Sequence, residues 1–283
     1  NDHFKIKKSK LRGELSEGMI CAEDEIGLGE SHDGILVLPN EVPVGTLAKE
    51  YFNVEEDYIF EVDITPNRAD ALSHYGVARD LAAYYQFHGK VLKASFPELK
   101  KLEKIGDLPI NISIKDEQAC PRYSGITIKG VNVTESPKWL KKRLVAIGLV
   151  PINNIVDVTN YVMFEIGQPL HAFDYARCGG KIEVKSDLDG TDFITLDGQQ
   201  RTIQSGELMI CNSTQPMCIA GVFGGEESGV SNGTKDIFLE SAYFNPVSVR
   251  KTSKHHGLKT DASYRFERGV DPELTVKALQ RAA

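Results

Sequence analysis

Apolar and polar positions change their spacing several times along this chain, and each spacing predicts an element. In residues 1–55 short β-like runs are broken by Gly13, Gly18, Gly27, Gly29, Gly34 and Gly45. There Ile35-Leu36-Val37-Leu38 closes on Pro39, a strand followed by a stop. This predicts a small all-β unit. Tyr58–Ile64 alternates as a strand, and Thr65-Pro66-Asn67-Arg68 turns. A helix follows over about Ala71–Phe87, with Asp70 as its N-cap and Gly89 as its stop. Leu72, Tyr75, Ala78, Leu81 and Tyr85 recur along it at helical spacing and predict its buried face.

A charged, linker-like stretch runs from Glu98 to about Asp107, and the largest block lies beyond it. Tyr123–Val133 alternates as a strand. Ser136-Pro137 opens a helix in the order cap, then proline, and Gly148 ends it. Asn154–Ile166 is a second helix, stopped by Gly167 and Pro169. Lys181–Phe223 is strand-rich, with hairpin signals at Asp189-Gly190 and Asp197-Gly198. Asn245-Pro246 opens a helix ending at Gly257, and Asp271-Pro272 opens the last one. The expected fold class is α+β, in three units: 1–55, 56–97 and 98–283.

Composition narrows the function classes. A hydrophobic fraction of 41% with 26% charged residues suits a soluble globular chain, and no apolar run approaches a membrane span. The five cysteines are scattered without a CxxC pair, which points to reduced thiols in a cytoplasmic protein rather than a disulfide framework or a zinc site. The chain opens on Asn1 and reads as a fragment of a longer one. A net charge of −7 argues against an undirected nucleic-acid binder. Three basic islands nevertheless leave an RNA contact open: Lys5–Arg12, Lys138–Arg143 and Arg250–Arg268.

Loop-borne polar residues are the candidates for chemistry. Past Thr159 and Asn160, the run Gly167-Gln168-Pro169-Leu170 places His171 just beyond a helix end. There it either caps the helix or reads a hydroxyl. The run Ile219–Glu227 is dense in glycine without a Gly-Lys phosphate loop or GxGxxG spacing; it is either a tight turn or a close approach to a ligand. Glu240 follows Ile237-Phe238-Leu239 as a half-buried acceptor or a strand-end charge. The adjacent His255 and His256 diverge on a helix, so no shared metal is expected. Ser263, His256 and Asp261 lack the elbow a hydrolytic triad needs.

Five stretches together carry a resemblance. SKLRGELSEGMICAEDEIGLG (Ser9–Gly29), DITPNRADALSHYGVARDLAA (Asp63–Ala83), VDVTNYVMFEIGQPLHAFD (Val156–Asp174), AGVFGGEESGV (Ala220–Val230) and HHGLKTDASYRFERGVDP (His255–Pro272) resemble, in order, bacterial phenylalanyl-tRNA synthetase beta subunits. The resemblance implies a partial oligonucleotide-binding-fold, tRNA-binding module in 1–55, a small α+β unit, and a B3/4-type editing domain in 98–283. It implies a fragment that does not aminoacylate alone but hydrolyses tyrosyl-tRNA(Phe) made in error. The implied partners are tRNA(Phe), tyrosine as editing ligand and the alpha subunit of a heterotetramer, with no DNA and no membrane. The fragment needs no cofactor of its own, ATP and magnesium serving the full enzyme.

By the same resemblance Glu240 and His171 meet the tyrosine phenol, while Thr159, Asn160, Gly221, Thr260 and Ala262 line the pocket. Water is positioned by polar groups and a ribose hydroxyl rather than by a strong base. The division has a physical reason: an apolar pocket rejects an added hydroxyl by only ~100-fold, whereas a pocket that hydrogen-bonds it discriminates by ~10⁴–10⁵. The alternative is a module that binds tRNA and subunits without catalysis.

Overall fold

The computed structural model describes residues 6–29, 32–53, 57–103, 106 and 108–283. Lys5 of the first basic island and Asp107 at the end of the charged linker lie outside the described residues. Contacts divide the chain into two units, Asn1–Tyr58 and Ile59–Ala283.

In the first unit, β1 (Ser9–Leu11) and β2 (Glu14–Ser16) form an antiparallel hairpin, and α1 (Ala48–Tyr51) is a single helical turn. The expected strand Ile35–Leu38 is not formed. Leu36 donates one backbone hydrogen bond to the Cys21 carbonyl, but no ladder forms around it. The all-β expectation for this stretch also misses α1.

The second unit opens with α2 (His74–Phe87), β3 (Asn111–Ile114), β4 (Arg122–Lys129), α3 (Lys138–Ala146) and α4 (Asn154–Ile166). Then come β5 (His171–Asp174), α5 (Tyr175–Cys178), β6 (Lys181–Lys185), β7 (Asp192–Ile194), β8 (Gln200–Thr202), β9 (Met209–Cys211), β10 (Pro216–Ile219) and β11 (Phe223–Gly224). It closes with β12 (Asp236–Tyr243), α6 (Pro246–His256), α7 (Asp261–Phe266) and α8 (Leu274–Ala282). One sheet has the order β11-β10-β9-β6-β3, with only β3 and β6 parallel. A second, antiparallel throughout, has β12 between β4 and β5. The fold is mixed α+β.

The three-stranded sheet is covered on both faces, and strand alternation sorts its residues between them. Ile126, Ala172 and Leu239 face α8, where Leu279 and Ala282 complete a small aliphatic core. Phe173, Phe238 and Ala242 point the other way, into the main core shared with Ile182, Ile210, Met217 and Ile219 of the five-stranded sheet. Gln168, fully buried, ties the approach to β5 onto β12 by donating to the Ala242 carbonyl at 2.9 Å.

The helices follow their end signals, with shifts at the starts. Asn153 caps α4 with its side chain and Gly167 closes it; Asn245 and Gly257 do the same for α6. The helix expected from Ala71 starts at His74, capped by Ser73 instead of Asp70. The Asp70 carboxylate is engaged by the Arg68 guanidinium, and Ala69–Ala71 is a 3₁₀ turn. Ser136 does not cap α3. Pro137 takes the cap position, and the Ser136 hydroxyl donates to buried Asp157 at 2.5 Å. Tyr58–Ile64 forms no strand: it runs exposed without a pairing partner, so its alternation has no face to bury.

Candidate functional site

In the antiparallel register between β5 and β12, His171 sits directly opposite Glu240, so both side chains leave the sheet on the same face. Across β12, Tyr123 pairs with Ala242, two residues from Glu240 and therefore on that face too. The Tyr123 hydroxyl donates to Glu240 Oε2 at 2.6 Å. The three polar groups stand between the two sheets on a bed of rings. Phe173 and Tyr123 both lie nearly parallel to Phe238, and the His171 imidazole meets Phe173 edge-on at 4.4 Å. Gly125 makes room for this bed, since a Cβ there would meet the Phe238 ring at 2.2 Å.

Burial sets the charge states. Loss of water pushes the Glu240 carboxyl up to about 7, against which the Tyr123 hydrogen bond works only in part. The same loss pushes His171 down to about 4. Each group is driven toward its neutral form, fully for His171 and to about half protonation for Glu240 at neutral pH, as expected where an unpaired charge would be stranded in an apolar interior. Burial, aided by Glu240, also pushes up the thiols of Cys120 and Cys218 nearby. All five cysteines are unpaired. Among the described residues, His171 Nε2 is one of four buried side-chain polar atoms without a hydrogen-bond partner. It is the one set opposite a protonatable carboxyl.

The glycine-rich turn joins this centre to further candidates. Gly224 lies against His171, whose Cε1 would be 3.1 Å from an added Cβ, and against Leu196, at 2.8 Å. Gly221 has a φ of +68°, and a Cβ there would run into Phe244, Phe266 and Val249. Between them the Val222 carbonyl accepts the Thr260 hydroxyl at 3.1 Å. Thr260 caps α7 through a reciprocal box with Ser263, and half-buried Ala262 packs on the main core. Thr159 and Asn160 are placed in α4, where the buried Thr159 hydroxyl donates to the Val156 carbonyl of its own helix at 2.7 Å. A separate groove of about 530 Å³ is lined by Glu61, Val62, Asp63, Ile64, Leu72 and Tyr264.

Sequence reasoning misses Tyr123. The available signal is an aromatic with a polar handle at the start of an alternating strand, which needs a buried partner for its hydroxyl. The third basic island is also less free than its composition suggests. Arg265 is buried, donates to the Leu72 and Asp261 carbonyls, and lies over the Phe164 ring, while Arg268 stacks on Tyr264 and pairs with Glu267. No triad is assembled from Ser263, His256 and Asp261: the Ser263 hydroxyl bonds to Thr260 and His256 to Glu207. His255 and His256 do not diverge as expected. Both rings turn onto the one Glu207 carboxylate. Among the described residues no helix is long and apolar enough to cross a membrane.

Comparison with known proteins places these features in a family. The family model described as "B3/4 domain" matches residues 119–283, and that described as "Putative tRNA binding domain" matches residues 3–47. The phenylalanine–tRNA ligase beta subunit of Bacteroides fragilis is 57% identical over 99% of this chain and 34% of its own length. That of Porphyromonas gingivalis is 57% identical over 100% of this chain and 35% of its own length. An N-terminal fragment of the phenylalanyl-tRNA synthetase beta subunit from Pyrococcus horikoshii superposes loosely, with a TM-score of 0.36 and 14% identity over 69% of this chain and 60% of that one. The chain thus spans about a third of the length of the curated relatives it matches. It belongs to the B3/4 domain family, and throughout its own length it is similar to phenylalanine–tRNA ligase beta subunits.

Proposed function

We propose that the second unit hydrolyses the ester of tyrosyl-tRNA(Phe), with Glu240 and His171 reading the tyrosine hydroxyl. The observation that carries this reading is their pairing in register, Glu240 buried and its carboxyl pushed up to about 7, His171 half-buried and held neutral, with His171 Nε2 shielded from solvent and unpartnered. A protonated carboxyl donates and a neutral imidazole nitrogen accepts, so the pair is complementary to a phenol, which does both. Phenylalanine offers neither function and leaves both groups unpaired in a dry interior. Tyr123 already engages one carboxyl oxygen and fixes the rotamer of Glu240, leaving the other oxygen for ligand.

The turn 219–224 and the start of α7 line the approach, with Gly221, Thr260 and Ala262 as wall. Leu196 packs over Gly224 beside His171, and on this reading it moves aside for an incoming aromatic ring. Thr159 and Asn160 belong to the wall on the resemblance alone. No strong base stands in this set, so the attacking water is positioned by polar groups and by a terminal ribose hydroxyl of the tRNA. The first unit contributes tRNA contact, in keeping with the putative tRNA-binding match. The alpha subunit is the partner in the whole ligase, where ATP and magnesium serve phenylalanine activation; ester hydrolysis uses neither.

Deacylation of tyrosyl- and phenylalanyl-tRNA(Phe) by the purified chain tests the reading. Hydrolysis of the tyrosyl ester in clear preference to the phenylalanyl ester is expected. Binding of tRNA with no hydrolysis of either ester would leave the chain a binding module.

A further inference from the structure

Residue spacing offers no reason to expect a metal at His255-His256, yet the fold turns both rings onto one carboxylate. His255 Nδ1 is 3.0 Å from Glu207 Oε1, and His256 Nε2 is 2.8 Å from Glu207 Oε2. One donor atom from each of the three residues lies within 4.8 Å of the others. Adjacent helical residues converge in this way because one ring presents its near nitrogen and the other its far nitrogen. We propose that Glu207, His255 and His256 form a binding site for a zinc-class divalent cation at the carboxyl end of α6.

Three features support the assignment. First, the donors are two imidazoles and a carboxylate, a set suited to Zn²⁺ and its first-row neighbours, whereas Mg²⁺ and Ca²⁺ take oxygen ligands. Tetrahedral ligands at about 2.0–2.1 Å from zinc stand about 3.3 Å apart, so the two nitrogen–oxygen separations of 3.0 and 2.8 Å would open by a few tenths of an ångström and the wider separations, all within 4.8 Å, would close onto the ion. The cation takes the place of the ring protons that the carboxylate otherwise accepts.

Second, the ligands are held in advance and one side is open. The side chains of His256 and Glu207 are only 4% and 7% exposed, while that of His255 is 45% exposed. The buried pair fixes the geometry, and the exposed ring leaves an entry path and a fourth position for water. The Gln204 N–H donates to Glu207 Oε2 at 2.9 Å and orients the carboxylate from behind.

Third, the site lies at the negative end of α6, just before the left-handed cap Gly257. Arg201 nearby donates to the His256 carbonyl and is itself paired with Asp197 at 2.8 Å. A cation here would pin the end of α6 to the turn before β9. Those two segments lead to Thr260 and to Gly221, so the metal braces the walls of the candidate pocket without entering it.

Zinc chloride titrated into the chelator-stripped chain, in competition with a chromophoric chelator, tests the proposal. One Zn²⁺ per chain is expected, with a dissociation constant in the micromolar range or tighter. His255→Gln should weaken it by at least about tenfold. Glu207→Gln, which keeps the acceptor for Gln204, should do the same in a chain shown to be folded by circular dichroism. In the wild type the ring resonances of His255 and His256 should move on zinc addition while those of His171 stay. Unsaturable uptake, affinity unchanged in both variants, or equal binding of Mg²⁺ would each overturn it.

Discussion

Two places in the second unit bring a glutamate against histidine, and the fold treats them in opposite ways. At Glu240 and His171 strand register sets the residues face to face between two sheets, and Nε2 is left without a partner. At Glu207 every facing atom is engaged: both carboxylate oxygens meet ring nitrogens, and one also takes a backbone N–H. Burial at the first site pushes acid and base toward their neutral forms, which can donate and accept a hydrogen bond. At the second, two ring nitrogens converge on one carboxylate at a helix end with only the His255 ring open to solvent, an arrangement suited to a cation. The two glutamates are equally buried, so what separates the sites is whether ring nitrogens reach the carboxylate: two do at Glu207 and, among the described residues, none does at Glu240.

The largest expected effect is in the pH dependence of stability. Glu240 titrates at about 7 in the fold against its ordinary value of 4.5. Between those values the folded chain holds a proton that the unfolded chain has released, so this group's contribution falls as pH rises. His171 titrates at about 4 against 6.5. In that window the unfolded chain holds the extra proton, so its contribution rises with pH. Each amounts to about 3 kcal/mol across its window, and where the windows overlap the two slopes oppose and nearly cancel. Glu240→Gln removes one slope: relative to wild type, its unfolding free energy should climb by about 3 kcal/mol from acid to neutral pH. His171→Gln should show the reverse. Urea unfolding across the range measures this, and parallel profiles for wild type and variants would break the contrast between the sites.

Next in size is the effect on recognition. Removing a partner so that a buried polar group is left unpaired costs about 1–3 kcal/mol, or about 5- to 150-fold. Glu240→Ala should lower tyrosyl-ester hydrolysis by that factor while leaving phenylalanyl-ester hydrolysis at its low rate. Glu207→Gln, outside the pocket, should leave both rates as they are. A folded Glu240→Ala chain with an unchanged tyrosyl rate would remove Glu240 from its assigned role.

Much of the helical framework is legible in the sequence. Asn153, Gly167, Asn245 and Gly257 end helices through local hydrogen bonds and a left-handed cap, and local rules suffice for them. What depends on distant partners is not legible in that way. The Tyr123–Glu240 bond joins residues 117 apart in sequence, and no spacing announces it. Alternation promises a strand at Tyr58–Ile64, but alternation is satisfied only when an edge and a buried face are supplied from elsewhere. His171 is visible as a polar residue past a helix end, while its opposition to Glu240 depends on the register of β5 on β12. The two histidines at the end of α6 escape local rules for a related reason: helical geometry separates adjacent Cβ atoms, and the choice of ring nitrogen brings the donors together again.

The aromatic bed offers a third test. At Gly125 an added methyl would overlap the Phe238 ring at 2.2–2.4 Å, and Phe238 touches both Tyr123 and Phe173. Gly125→Ala should cost about 1–3 kcal/mol by overpacking and should disturb the Glu240 site through Tyr123. Its thermal unfolding and its tyrosyl-ester hydrolysis should fall together. A variant of wild-type stability would mean that the ring swings aside without cost, and the bed would lose its role in holding Tyr123.

The smallest effect belongs to the second site and is diagnostic because it is small. The His255 ring is 45% exposed, and its bond is a half-exposed pairing whose loss leaves buried Glu207 still held by His256 and the Gln204 N–H. Such pairs contribute at most about 1 kcal/mol, so His255→Ala in the presence of a chelator should barely move the unfolding midpoint. Added zinc should then raise the midpoint of the wild type and leave the variant where it was, because a ligand stabilises only the state that binds it. A large loss without metal would show that the ring holds α6 in place by itself, and the contrast between a pocket that waits for a hydroxyl and a rim that waits for a cation would fail on that side.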